Sequence, residues 1–278
     1  MTFSVLIPCH NPRADWLEHA LHYSMLQLDF LRDEIIVVDD CSNNGSEIQA
    51  LAEKYHASYL RNDSEQGGVK SHNMAIRAAT KDLIAVVHPD DFVLPGFYDL
   101  MRATMERNPN VALSACETIL VREDGVPIGL ATHDWTETHK IQDIHFRNPL
   151  YVPSVVVRHA AYEKHGLWDE RLIHCSDWEC WLRMRYMGGA VWVRRPLACY
   201  RDHASNHTGR LARTAENMRD YLRMGKVVEE YCPVDWPKFS AAVMSWCQRQ
   251  AQLFREDGDL EAARCSQALV DELSWQEG

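Results

Sequence analysis

A chain of 278 residues, 46% hydrophobic and 25% charged, has the composition of a globular protein and the length for one large α/β domain with a small appendage. Its 40 acidic against 29 basic side chains give a formal charge of −11, which opposes binding to a phosphate backbone and excludes nucleic acid as an expected partner. The same excess of carboxylate predicts that a phosphorylated ligand would arrive with a divalent cation.

The N-terminus, Met1 to His10, lacks a basic region followed by a long apolar stretch, and no apolar run approaches the ~20 residues that span a bilayer. A cytoplasmic protein is expected, with or without peripheral membrane contact. Nine cysteines without a CxxC pair suit reduced thiols. His174, Cys175 and Cys180 raise the question of zinc, but no second ligand pair stands at metal spacing, so packed thiols are the better reading.

In chain order, strand-like runs at Ser4–Ile7, Glu34–Val38, Ala57–Leu60 and Leu83–Val87 alternate with helical periodicity at Trp16–Leu26, Glu47–Lys54 and Val69–Ala79. That alternation predicts an α/β fold with a mostly parallel sheet flanked by helices. Three of the strands end in polar clusters: Cys9-His10-Asn11-Pro12, Asp39-Asp40-Cys41-Ser42 and His88-Pro89-Asp90-Asp91. Ligands gather at the carboxyl ends of such strands, so the clusters are expected to converge.

A β-rich run at Val111–Val121 leads into a turn at Glu123-Asp124-Gly125 and a polar loop to about Arg147. Tyr151–Arg158 reads as a strand, Asp177–Met187 as a helix stopped by Gly188-Gly189, and Val191–Arg194 and Leu197–Tyr200 as two short strands around Pro196. Beyond about Gly209 three helical segments are predicted. Leu211, Ala215, Met218 and Leu222 form one apolar stripe, and Leu260, Ala263, Leu269, Val270 and Leu273 another. The division is therefore 1–208 for the α/β domain and 209–278 for a C-terminal helical extension.

Paired carboxylates at a strand end can hold Mg²⁺ or Mn²⁺, although an isolated Asp-Asp is more often a cap or a solvated turn. Two acidic strand ends in one parallel sheet are harder to dismiss, because close carboxylates repel unless something neutralises them. The arrangement resembles the inverting glycosyltransferases of family 2, which have the GT-A fold. The resemblance runs in order through Ser4-Val5-Leu6-Ile7-Pro8-Cys9-His10-Asn11-Pro12, Ile35-Ile36-Val37-Val38-Asp39-Asp40-Cys41-Ser42 and Gly67-Gly68-Val69-Lys70-Ser71-His72-Asn73-Met74-Ala75-Ile76. It continues through Val87-His88-Pro89-Asp90-Asp91, Ser176-Asp177-Trp178-Glu179-Cys180-Trp181-Leu182-Arg183 and Tyr200-Arg201-Asp202-His203, covering roughly residues 3 to 208.

The resemblance implies nucleotide-sugar binding by Pro8, His10 and Asn11 around the base, by Asp40 or Asp39 on base or ribose, and by Asn73 in the segment facing the donor. It implies Asp90 and Asp91 on the metal and donor sugar, His203 as a late metal or diphosphate contact, and Asp177 as general base. Mn²⁺ or Mg²⁺ is the implied cofactor, a UDP-sugar the donor, and a glycan, glycolipid or glycoprotein of surface polysaccharide or glycoconjugate synthesis the acceptor. Two positions depart from the family pattern. His88 stands where a first Asp is common, predicting either a weaker metal site or an added nitrogen ligand, and Ser176 replaces a common Glu before the base. The competing readings are a catalytically silent GT-A domain, motivated by His88, and a nucleotidyltransferase, disfavoured by the single basic residue, Arg13, in the first strand-end loop. Trp168, Trp178 and Trp181 stand near the helical motif, with core the favoured reading for Trp181 and sugar stacking open for Trp178. Arg158 is equally suited to an acidic neighbour or to substrate.

Overall fold

The computed structural model describes residues 1–131, 148, 150–203 and 206–275; most of the loop expected before Arg147 lies outside them. The chain divides into two compact units. Among the described residues, one comprises 1–131, 148, 150–168 and 180–202; the other comprises 169–179, 203 and 206–275.

The first unit is built on the predicted strands. β1 (Phe3–Cys9) is apolar along its length and buried throughout, as a strand covered on both faces must be. It lies between β2 (Glu34–Asp39) and β4 (Leu83–Val86), with β3 (Ser58–Arg61) outside β2, and all these pairings are parallel. Beyond β4 the sheet turns mixed. β8 (Val155–Arg158) runs antiparallel to β4 and to β6 (Leu113–Val121), and β9 (Ala190–Arg201) runs parallel to β6 along its whole length. β5 (Phe92–Val93) closes that edge against β9, and β7 (Pro127–Leu130) pairs with β6 off the main path. The long ladders are parallel, which gives the mostly parallel sheet of a GT-A fold.

Four helices flank the first strands: α1 (Ala14–Met25), α2 (Gly45–Lys54), α3 (Gly68–Ala78) and α4 (Phe97–Arg107). The core seats Leu17 and Leu21 of α1, Ile48 of α2 and Phe97, Tyr98, Met101 and Met105 of α4 against the inward residues of β1, β2 and β4. α4 escaped the sequence reading, and so did the short α5 (His159–His165).

Two strand predictions need correction. Tyr151–Ser154 is not strand, because Pro153 sets a 3-10 turn at Val152–Ser154 and only Val155–Arg158 enters the sheet. The two short strands around Pro196 are one strand, β9; the register shifts where Pro196 faces Glu117, an irregularity that tolerates a residue without an N–H. Arg158 takes neither of its expected partners. It donates to the carbonyls of Met105 (2.6 Å), Val111 (2.8 Å) and Asn108 (2.9 Å), tying the end of α4 to β8.

α6 (Ser176–Gly188) starts on an acidic first turn and stops at Gly189, whose φ of 74° suits glycine. The second unit carries α7 (His207–Arg213), α8 (Glu216–Glu229), α9 (Trp236–Glu256) and α10 (Leu260–Trp275). The stripe expected across Leu211, Ala215, Met218 and Leu222 is broken at Ala215, where φ is 58° and a new helix begins. The buried face of α8 is instead Asn217, Met218, Asp220, Met224, Gly225, Val227 and Val228. On α10 the expected face holds at Ala263, Leu269, Val270 and Leu273, while Leu260 is exposed. A Cβ at Gly225 would lie 2.6 Å from a Phe239 ring carbon and 3.0 Å from Trp236. Gly225→Ala is therefore expected to destabilise this unit by about 1–3 kcal/mol through overpacking, read as a lower urea midpoint. Among the described residues no helix is long and apolar enough to cross a membrane.

Candidate active site

The parallel order β2-β1-β4 sets the three polar strand ends side by side. Asp40 N–H donates to the Cys9 carbonyl at 2.8 Å and Asn11 N–H to Ser42 Oγ at 2.7 Å. His10 Nδ1 lies 2.7 Å from the Asp40 carbonyl, so that nitrogen carries the proton and Nε2 accepts from the Asn11 amide at 2.7 Å. Asn11 itself takes φ of 47°, which an Asn tolerates, and its Oδ1 accepts the N–H of Asn43. His10 and Asn11 thus form an exposed, fixed polar edge above buried Pro8.

The carboxylates of Asp39 and Asp40, which the resemblance places near base or ribose, are both buried and take hydrogen bonds from the protein itself. Asp39 accepts from Ser42 N–H (2.8 Å), Tyr59 OH (2.6 Å) and the Arg61 guanidinium. Asp40 accepts from Asn62 (2.6 Å) and from the N–H groups of Gln66 (2.9 Å) and Gly67 (2.8 Å). Burial alone would raise both carboxyls; these donors outweigh it and hold each below the ordinary value. Gly67, at φ 91°, is a position where L side chains are strained, and it turns its N–H to Asp40 immediately before α3. Asn73 is 1% exposed, donates to the Trp168 carbonyl at 2.9 Å and accepts the Trp168 N–H at 3.0 Å, which clasps that residue.

After β4 the chain turns at His88–Asp91. One ligand atom from each of His88, Asp90 and Asp91 lies within 4.8 Å of the others, the one such group among the described residues. Asp91 is 1% exposed; its Oδ1 accepts Arg201 N–H at 2.9 Å, while its buried Oδ2 has no hydrogen-bond partner and stands 3.7 Å from His88 Nδ1. Burial pushes this carboxyl well above its ordinary value, the Asp90 charge adds to the rise, and Arg201 only partly offsets it. A buried oxygen without a donor, facing a second carboxylate and an imidazole, is what a divalent cation satisfies, so the residues fit a metal.

Arg201 is the organiser that sequence reasoning missed, although the Tyr200-Arg201-Asp202-His203 motif contained it. Its Nε donates to the Asp90 carbonyl (2.8 Å) and its guanidinium to the Glu123 carbonyl (2.6 Å), with the group over the rings of Trp16 and Phe92. His72, also missed, bonds the Gly68 carbonyl through Nδ1 (2.7 Å) and His88 Nε2 through Nε2 (2.9 Å), and stacks on Trp168 at 4.3 Å.

Asp177 and His203 belong to the second unit. Asp177 is the second residue of α6, half-buried, with Oδ1 accepting Trp178 N–H at 2.6 Å. Burial pushes its carboxyl up to about 7; the N–H bonds at the helix start pull down, and the charge of Asp220 pushes up again. Asp220, on α8, is fully buried and gathers the N–H groups of Ile173 (3.1 Å), His174 (2.7 Å) and Cys175 (2.9 Å) onto one oxygen, while Arg223 binds the other at 3.2 Å. It fixes the turn from which the Asp177 helix starts. His203 follows β9 by two residues and is half-buried. Trp178 is buried edge-on to Tyr221, and Trp181 is buried as well, so neither is a free stacking platform. Cys175 and Cys180 are buried thiols.

The family described as Glycosyl transferase family 2 matches residues 4–165, a stretch that includes His88, Asp90 and Asp91 and ends before Asp177. The putative teichuronic acid biosynthesis glycosyltransferase TuaG of Bacillus subtilis is 29% identical over 136 residues, 47% of this chain and 52% of the relative. Across the curated relatives the matched stretch falls as low as 36% of their own length. The Staphylococcus aureus TarS 1-349 structure in complex with UDP-GlcNAc aligns with a TM-score of 0.63 at 14% identity, covering 100% of this chain and 92% of that one. The mannosyltransferase PcManGT from Pyrobaculum calidifontis, in complex with GDP-Man and Mn²⁺, aligns at 0.61 and 14%, covering 97% and 75%. With more than half of its length matched to that family and GT-A glycosyltransferases as its structural neighbours, this chain belongs to glycosyl transferase family 2.

Proposed function

We propose that the protein transfers a sugar from a nucleoside diphosphate donor to a hydroxyl acceptor with inversion, and that the acceptor belongs to a surface polysaccharide or glycoconjugate. The observation that carries the reading is the buried, unpartnered Oδ2 of Asp91 beside Asp90 and His88 at a parallel strand end. These three residues would hold Mn²⁺ or Mg²⁺, with His203 as a further candidate. The ion supplies neutralisation of the diphosphate charge that develops as the glycosyl bond breaks. Pro8, His10 and Asn11 flank the nucleotide, with Asp39 and Asp40 shaping the loops around it. Asp177 takes the proton of the acceptor hydroxyl, which is a poor nucleophile until a base removes it. One base and one displacement invert the anomeric centre. A relative named for teichuronic acid biosynthesis supports the acceptor class, and neighbours solved with UDP-GlcNAc and with GDP-Man support a nucleotide-sugar donor, with UDP favoured.

Calorimetric titration of UDP and other nucleoside diphosphates, with and without Mn²⁺, tests the donor site. Binding of UDP that requires Mn²⁺ and is lost in Asp90→Ala is the expected result. Failure of every nucleotide to bind under any condition would leave only the fold.

A further inference from the structure

We infer that His88 offers Nδ1 as a nitrogen ligand to the ion of the proposed donor site, that His72 is the positioning residue holding it in the tautomer able to do so, and that the site consequently prefers a first-row transition ion to Mg²⁺. The inference rests on the donor-site reading above and goes beyond it to the tautomer, the ligand set and the choice of metal.

A carbonyl oxygen can only accept. His72 Nδ1 stands 2.7 Å from the Gly68 oxygen and must carry a proton. The other nitrogen of His72 meets His88 Nε2 at 2.9 Å, and of two such nitrogens one donates and the other accepts. The His72 ring is half-buried and stacked on Trp168 at 4.3 Å with 21° between the planes. The stack is itself pinned, because Asn73 grips both the N–H and the carbonyl of Trp168. A neutral His72, its proton directed to the Gly68 carbonyl from Nδ1, accepts through Nε2, and the shared proton then resides on His88 Nε2. A neutral His88 with its proton on Nε2 has its lone pair on Nδ1, the atom that stands 3.7 Å from the unpartnered Oδ2 of Asp91.

The chain Gly68 carbonyl, His72, His88 is the arrangement by which metal-binding histidines are commonly oriented, one ring nitrogen held by an outer partner and the other aimed at the ion. A carboxylate in place of His88 would give an all-oxygen set suited to Mg²⁺; an imidazole moves the preference toward Mn²⁺ and its heavier neighbours.

The test uses the full chain. In metal-free protein labelled with ¹⁵N at histidine, long-range proton–nitrogen correlation should show His88 protonated at Nε2 and His72 at Nδ1. With Mn²⁺ bound to unlabelled protein carrying His203→Ala, which removes the other candidate imidazole, pulsed electron paramagnetic resonance should show coupling to a ¹⁴N nucleus that disappears when His88→Asp is added, and His88→Asp should narrow the preference for Mn²⁺ over Mg²⁺. His72→Phe keeps a ring on Trp168 but removes the acceptor, and Mn²⁺ affinity should fall about 10- to 100-fold. Mn²⁺ that binds the wild type and is lost in Asp91→Asn, yet shows no nitrogen coupling, would overturn this inference and leave the donor site standing. A His88 protonated at Nδ1 would overturn it too. Absence of any Mn²⁺ binding to wild type would remove the donor-site reading and this inference together.

Discussion

Asp177→Asn is expected to lower the turnover number about a hundred- to ten-thousand-fold while leaving donor binding intact, the range by which a positioned base contributes to catalysis. The amide keeps an oxygen for the Trp178 N–H, so the start of α6 is preserved and the loss is chemical. In the wild type the carboxyl is raised by burial to about 7, and a base works only when ionised. Activity should therefore climb with pH, tenfold per unit below about 7, and level off above it. The stability sign runs the opposite way. A carboxyl whose folded value exceeds its unfolded value holds its proton more tightly in the native state, so its contribution to stability falls as pH rises from about 4 to about 7. Asp177→Asn removes that contribution and should lose no stability at pH 8. Turnover measured from pH 5 to 9 with saturating donor checks the assignment, and a flat profile with near-normal turnover in the variant would end it.

Asp91→Asn should abolish Mn²⁺-dependent donor binding and cut turnover by about a hundred- to a thousandfold, the several kcal/mol by which a cation stabilises departing diphosphate. The substitution is nearly isosteric. Asn retains the oxygen that accepts Arg201 N–H and puts an NH₂ where the unpartnered Oδ2 stood, so a cation meets a donor instead of an acceptor. Without metal the variant is expected to melt no lower than wild type, since burial opposes the charged form at this position. Calorimetry with Mn²⁺ separates the effects: a variant that folds and still binds Mn²⁺ as wild type does would move the metal elsewhere.

The sheet was readable because buried parallel strands are written as continuous apolar runs; Phe3–Cys9 and Glu34–Asp39 leave little choice of element. Helix α4 was harder, since Pro95-Gly96 reads as a loop and the buried Phe97, Tyr98, Met101 and Met105 make a face only once the helix is granted. At the site, residue types and strand-end positions were legible, but commitments were not. Nothing local to Asp39 or Asp40 says that Tyr59, Arg61, Asn62, Gln66 and Gly67 will use up their oxygens, or that Asn73 will turn to Trp168, 95 residues away. Asp91 depends on Arg201 at a separation of 110, a pairing that exists only after β5 meets β9. Side chains of one type divide into ligands and struts according to which distant donor reaches them first.

Asp220 has a consequence for how such a chain can be cut and rejoined. The segment 169–179, which ends just beyond the proposed base, packs in one compact unit with the C-terminal helices, and its turn hangs from a carboxylate on α8. A graft that exchanged only the residues after β9 would strip three main-chain N–H groups of their acceptor and change the charge that tunes Asp177. The exchangeable module is discontinuous in sequence, and the proposed base is inherited with the tail.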